Sequence, residues 1–208
     1  MIPKKRIPVF GKDHAPRKWM NVMNAPTPST SHYPAAPTAQ KPETHTLSVL
    51  VDNEPGVLAR VIGLFSGRGY NIESLTVSET EHQAHLSLIT VVTTGTPMVI
   101  EQIKNQLDRL VPVHRVVDMT LLGGAIEREL AMVKVKGKGE QRVEALRLAD
   151  AFRARVIDAT TESFVFEITG KSDKIDQFVE LMLPLGLVDV SRTGIVAIAR
   201  GPEGMAHR

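Results

Sequence analysis

Between Asp52 and Leu75 the chain reads DNEPGVLARVIGLFSGRGYNIESL, and this stretch constrains the fold more than any other. A polar loop leads through Pro55 and Gly56 into an apolar stripe, Val57, Leu58, Val61, Ile62 and Phe65, at helical spacing. Pro55 suits the first turn of a helix. Gly67 and Gly69 then stop it, because glycine readily takes the left-handed conformation that closes a helical C-terminus. A strand, Asn71–Ser78, follows, with Ile72, Leu75 and Val77 as its apolar residues. Before the loop, His45–Val51 alternates as a strand that sends Leu47, Val49 and Val51 to one face.

The pattern continues and then repeats. The polar SETEHQ turn leads into a strand over Ala84–Thr93, and Thr96 is placed to cap a helix starting at Pro97. Met98, Ile103, Leu107 and Leu110 are its expected inward residues, and Val113–Asp118 is a fourth strand. In the second half, Glu129–Lys136 is a strand, and Gly139 leads into a helix reaching Phe152 with Val143, Leu146 and Ala149 inward. Arg155–Thr160 and Phe164–Gly170 form a strand pair, and Ser172 is expected to cap a helix carrying Ile175, Phe178, Val179 and Met182. Leu187–Ser191 and Ile195–Ala199 then close the chain, joined by a tight turn at Thr193–Gly194.

The order βαββαβ thus occurs twice, which predicts an α+β protein of two tandem ferredoxin-like domains. Each would carry its helices on one face of an antiparallel sheet, with the other face solvated or meeting a partner. The expected partition is a disordered tail over 1–43, a first domain over 44–120, a hinge over 121–127, a second domain over 128–201 and a flexible end over 202–208. Glu127, Arg128 and Glu129 read as a solvated charged junction, or as one that docks a partner.

Charge separates the tail from the body. Residues 1–42 hold seven Lys/Arg against one acid, Asp13, whereas the remainder holds 18 basic and 22 acidic residues beneath a formal +2 for the whole chain. Any nucleic-acid reading would have to rest on the tail. Its Pro-, Ser-, Thr- and Ala-rich composition buries too little apolar surface to offset ordering entropy, and Trp19 with Met20 and Met23 is its one candidate docking element. The chain has no Cys, which excludes disulfides, thiolate metal sites and thiol nucleophiles and fits a cytoplasmic protein. No apolar run reaches the roughly eighteen residues of a membrane span.

Candidate chemistry concentrates around the first helix. Its leading N–H groups have no intrahelical partner and the helix dipole favours an anion there. Gly56, without a Cβ, lets a carboxylate approach, and Asn53 adds an amide. The competing explanation is a plain turn in which Asp52 or Asn53 caps the helix. Asn71 sits where a strand disfavours it, so it either reads a ligand's charged end or bonds its own backbone. His82 and His85 make a weak metal signal and, like His45 and His114, read as isolated polar residues. The KGKGE turn at Lys136–Glu140 lacks phosphate-loop spacing. No Ser-His-Asp pattern or carboxylate dyad emerges from spacing.

On these residues His45–Thr120 resembles an ACT domain, a βαββαβ amino-acid-sensing module. NEPGVLARVIGLFSGRGYNIESLTV, with EQIKNQLDRLVPVHRVVDM, IERELAMVKV and VSRTGIVAIARG, is similar to the small regulatory subunits of acetolactate synthase, over residues 44–201. The resemblance implies a non-catalytic protein that pairs as a homodimer through the ACT domain. It implies that the protein activates a large catalytic subunit and imposes feedback inhibition by valine in branched-chain amino-acid synthesis. It places Asn53, Gly56, Val57 and Leu58 on one side of the ligand site, and Asn71 and Ile72 on the side supplied by the partner chain. Ala59 stands where the family often has Ser, so a hydroxyl contact is lost. Cofactors are expected only on the catalytic partner: thiamine diphosphate, Mg and FAD. Neither membrane nor nucleic acid is an expected partner. The alternative is an ACT-type ligand-responsive regulator of another enzyme or of nucleic acid.

Overall fold

A central strand organises each half of the chain. The computed structural model describes residues 41–81, 85–123, 125–202 and 204–205; residues 1–40 of the expected tail, His82 and Gly124 lie outside these, and Glu43, the tail's last expected residue, already belongs to the first strand. The first half runs β1 (Glu43–Asp52), α1 (Val57–Arg68), β2 (Ser74–Glu81), β3 (Leu86–Gly95), α2 (Pro97–Leu107) and β4 (Val113–Asp118). Its sheet has the order β2-β3-β1-β4. β1 pairs antiparallel with β3 from Glu43↔Gly95 to Asp52↔Leu86, and with β4 on its other edge.

The second half runs β5 (Ile126–Lys136), α3 (Glu140–Ala151), β6 (Arg155–Ala159), β7 (Ser163–Gly170), α4 (Ser172–Met182), a short 3-10 turn, β8 (Leu187–Arg192) and β9 (Val196–Ile198). Its order, β6-β7-β5-β8, repeats the first. The chain is therefore α+β with two ferredoxin-like units. Alternation on the strands and helical periodicity build one core in each. In the first, Leu47, Val49 and Val51 pack against Val57, Val61 and Phe65 of α1 and Ile100, Ile103 and Leu107 of α2. In the second, Val133 and Val135 meet Phe164, Phe166, Ile175, Phe178 and Met182.

Helix ends follow local chemistry. The Thr96 side chain caps α2 by accepting from the Val99 N–H, with Pro97 in the first turn. α1 passes through Gly67 and stops at Gly69, where Tyr70 N–H donates to the Phe65 carbonyl. That turn, with Tyr70 edge-on to Phe65, delays regular pairing. β2 consequently begins at Ser74, and Asn71 precedes the strand rather than opening it.

Several inward assignments shift. Met98 is exposed and Ile100 takes the core position on α2. On α3, Val143 and Leu146 are 50% and 39% exposed, while Ala145 and Ala149 face the sheet with Leu148 and Phe152 beside them. Met132 points outward between Ala131 and Val133. Ser172 does not cap α4; its hydroxyl donates to Glu129 at 3.0 Å, and Lys171 is the N-cap with no side-chain bond.

The open face of the first sheet departs furthest from expectation. Thr46, Ser48, Leu50, Thr90 and Val92 face away from the helices yet are buried. The chain's own C-terminal segment meets this sheet at β2 and at β4. β8 and β9 do not form a hairpin: both pair with β5, at Ala131–Val135 and at Ile126–Arg128, as two pieces of one interrupted line. At the interruption Ile195 turns to β2, and farther on Arg115 of β4 donates to the Met205 carbonyl at 3.4 Å.

Candidate functional site

The residues singled out from sequence fall into two groups at opposite ends of α1. Asn53, Gly56, Val57 and Leu58 lie at its N-terminus, and Asn71 and Ile72 lie beyond its C-cap, Gly69. A twelve-residue helix spans about 18 Å at 1.5 Å per residue, so one chain cannot close both groups around one small ligand.

The N-terminal group is open. Gly56 is the N-cap, in the left-handed region at φ 87°, a conformation that costs an L-residue roughly 1–2 kcal/mol. A Cβ there would meet nothing within 4 Å, so the space before the helix is unoccupied by the chain. No side chain caps α1. The capping explanation fails because Asp52 is turned away: His114 Nε2–H donates to its Oδ1 at 2.6 Å. Asn53 is held through its backbone, donating to the His85 carbonyl at 2.7 Å. The Val57 N–H donates to Glu54 in the turn, and its side chain is core. Leu58 is 37% exposed beside the opening.

The C-terminal group is fixed by β3. Thr93 Oγ1 donates to the Asn71 carbonyl at 2.6 Å and Glu73 N–H donates to Val92. The Asn71 side chain is exposed, and Ile72 is half-buried against the core. Both residues lead into β2, the outermost strand of its sheet.

Two polar clusters escaped sequence reasoning. Arg192 grips Glu129 with two bonds, Nε to Oε1 at 2.8 Å and Nη2 to Oε2 at 2.6 Å, and reaches Asp176 with Nη1 at 2.6 Å. Glu129 is buried, so it is no part of a solvated linker. The Arg192 bond holds its carboxyl below the usual carboxylate range against the opposing effect of burial, with smaller contributions from Ser172 and the Gly194 backbone. Arg192 is correspondingly held above the usual guanidinium range, chiefly by Glu129. The second cluster is buried His45, whose Nδ1–H donates to Asp118 at 2.8 Å. His45 and His114 are therefore paired rather than isolated. Separations of 63 residues for Arg192–Glu129 and 73 for His45–Asp118 leave no local signal that reading the sequence finds.

Among the described residues no group of three or more His, Asp or Glu side chains is placed to hold a metal. No described helix is long and apolar enough to cross a membrane. Lys136 and Lys138 of the glycine-rich turn both approach Glu162. At the start of α1, then, no side chain caps the helix, the Val57 N–H is bonded within the turn and Leu58 is exposed beside it.

Comparison with known proteins follows the same outline. A family model described as an AHAS small subunit-like ACT domain matches residues 47–115. A second, described as the small subunit of acetolactate synthase, matches residues 128–201. A probable acetolactate synthase small subunit of Archaeoglobus fulgidus is 46% identical over 157 residues, covering 76% of this chain and 97% of that protein. The acetolactate synthase small subunit of Mycolicibacterium smegmatis is 41% identical over 162 residues, covering 78% and 94%. The crystal structure of the acetolactate synthase small subunit from Thermotoga maritima is similar at a TM-score of 0.70 and 38% identity, covering 77% of this chain and 99% of that one.

Proposed function

The chain belongs to the acetolactate synthase small-subunit family, and from that membership we propose that it is the enzyme's regulatory, non-catalytic subunit, sensing valine. Residues 44–120 act as the ligand-binding domain and 128–201 as the second domain, joined at 121–127. The protein works in the cytoplasm on a large catalytic subunit that carries thiamine diphosphate, Mg and FAD, activating it and relaying feedback inhibition in branched-chain amino-acid synthesis.

The observation that carries this reading is the placement of the site residues at the two ends of α1, beside an outermost β2. Two copies meeting edge to edge at β2 are related by a two-fold axis, which reverses strand and helix direction. The end of α1 with Gly56 in one protomer then faces the end with Asn71 in the other. The α1 N–H groups receive the valine carboxylate, an interaction worth about 0.3–2 kcal/mol from the dipole alone. Asn53 and the partner's Asn71 hold the charged ends, and Leu58 and the partner's Ile72 accept the aliphatic side chain. Inhibition requires valine to bind one state of the complex better than the other; equal binding would shift nothing.

The test mixes this chain with its large subunit and titrates valine. The reading expects acetolactate formation to rise on mixing and to fall with valine. No activation would remove the subunit assignment, and activation insensitive to valine would remove the sensing role.

A further inference from the structure

Ile195 lies where the line formed by β8 and β9 leaves β5. Thr193 still bonds β5: its N–H donates to the Leu130 carbonyl at 3.0 Å, and the Leu130 N–H donates to its Oγ1 at 3.1 Å. At Gly194, φ 84° turns the chain. The peptide groups of Ile195 then have no strand to pair with, and obligatory backbone donors and acceptors must be met elsewhere. They are met on β2. Ile195 N–H donates to Ser74 Oγ at 2.9 Å, and Thr76 Oγ1 donates to the Ile195 carbonyl at 3.0 Å. The fit is tight: a Cβ on Gly194 would stand 2.7 Å from Ser74 Oγ and 3.0 Å from Thr76 Cγ2.

Both ends of this contact reach a functional element. Ser74 is two residues beyond Ile72, just after a bend at Glu73 whose N–H is tied to the Val92 carbonyl. Gly194 is two residues beyond Arg192, which holds Glu129, Asp176 and, through Glu129, Ser172 at the start of α4. Beside the contact a cleft of about 670 Å³ separates Glu73 and Leu75 from Asp173 and Arg192.

We propose that Ser74 and Thr76, clasping the Ile195 peptide, are positioning residues that transmit occupancy of the amino-acid site to the second half of the chain. This rests on the valine-sensing reading above. Ligand contact with Asn71 and Ile72 moves the start of β2, the two hydroxyls carry Ile195 with it, and the Arg192–Glu129–Ser172 cluster passes the movement to α4. A two-state element biased from both sides is what coupling between sites requires. Neither hydroxyl touches the ligand.

The experiment compares full-length wild type, Ser74→Ala/Thr76→Val and the conservative Thr76→Ser. Valine binding to each chain is measured by calorimetry, and valine inhibition of each reassembled holoenzyme is measured in parallel. The double variant is expected to bind valine as wild type does while its inhibition weakens by at least about fivefold, the lower range of allosteric coupling. Thr76→Ser, which keeps the hydroxyl, retains inhibition. Unchanged inhibition in the double variant overturns the latch, and so does loss of valine binding, since the hydroxyls would then be structural supports of the site. Wild type that fails to bind valine overturns the sensing reading itself, and the latch with it.

Discussion

Asp52 and His114 pair across the end of the first sheet, Oδ1 to Nε2 at 2.6 Å, which engages the Asp52 carboxylate with β4. The Asp52 carboxylate lies four residues before Gly56, the N-cap of α1, and a negative charge turned toward that end would feel the helix dipole. Held by β4, it does not cap α1.

Replacing His114 with Ala releases Asp52 toward α1. The freed carboxylate competes with an anionic ligand and repels it, so valine binding weakens several-fold, in line with about 0.3–1 kcal/mol per charge at a helix end. Asp52→Asn in the same background restores affinity. Calorimetric titration of the two variants checks both, and unchanged binding in His114→Ala contradicts the competition.

Gly56→Asp places bulk and negative charge at the mouth of the site. The open space around Gly56 accommodates the side chain, and the left-handed φ costs roughly 1–2 kcal/mol. Valine inhibition is lost while activation of the large subunit persists. Inhibition at unchanged valine concentration refutes the carboxylate site.

Stability depends on pH through Glu129. Its folded-state pKa lies below the ordinary 4.5, so the unfolded chain binds the proton more readily than the native one. The pair's stabilisation is present above about pH 4.5 and is lost as pH falls through the folded pKa. Glu129→Gln removes that part of the acid dependence and costs about 2–3 kcal/mol, less than a fully buried pair because Arg192 is partly exposed. Thermal melts between neutral and acid pH read both effects.

The reassigned face of α3 separates two substitutions. Ala145→Leu forces side-chain volume into a packed contact and costs about 1–3 kcal/mol. Val143→Ser, on the exposed side, changes stability by less than about 0.5 kcal/mol. Chemical denaturation distinguishes them, and a costlier Val143→Ser would return that residue to the core.

What could be read from sequence was local. The α1 stripe, the Thr96 cap, the Gly69 stop and the repeated βαββαβ order depend on residues within a turn or two of each other. The two groups proposed for the site, Asn53–Leu58 and Asn71–Ile72, flank one helix and rest on local residues together with the family resemblance. Contacts made across the fold were not legible. Glu129 seemed a linker charge because Arg192 is 63 residues away. Ala149 was read correctly as inward, but Val143 and Leu146 matched the helical period and are exposed, while Ala145 takes the core position. Thr193–Gly194 had the composition of a hairpin turn, yet β5 is long enough to pair with β8 and β9 in succession, which makes the glycine an interruption in one line.

Complementation between two defective chains tests the shared site most directly. In the proposed two-fold dimer each site would draw Gly56 from one protomer and Asn71 from the other. Homodimers of Gly56→Asp or of Asn71→Leu have both sites damaged and bind no valine. A purified heterodimer of the two variants collects both lesions in one site and leaves the other intact. The account predicts that calorimetry on this heterodimer recovers half the wild-type number of valine sites at wild-type affinity. Heterodimers that bind no valine would mean that each chain builds its own site, and would contradict it.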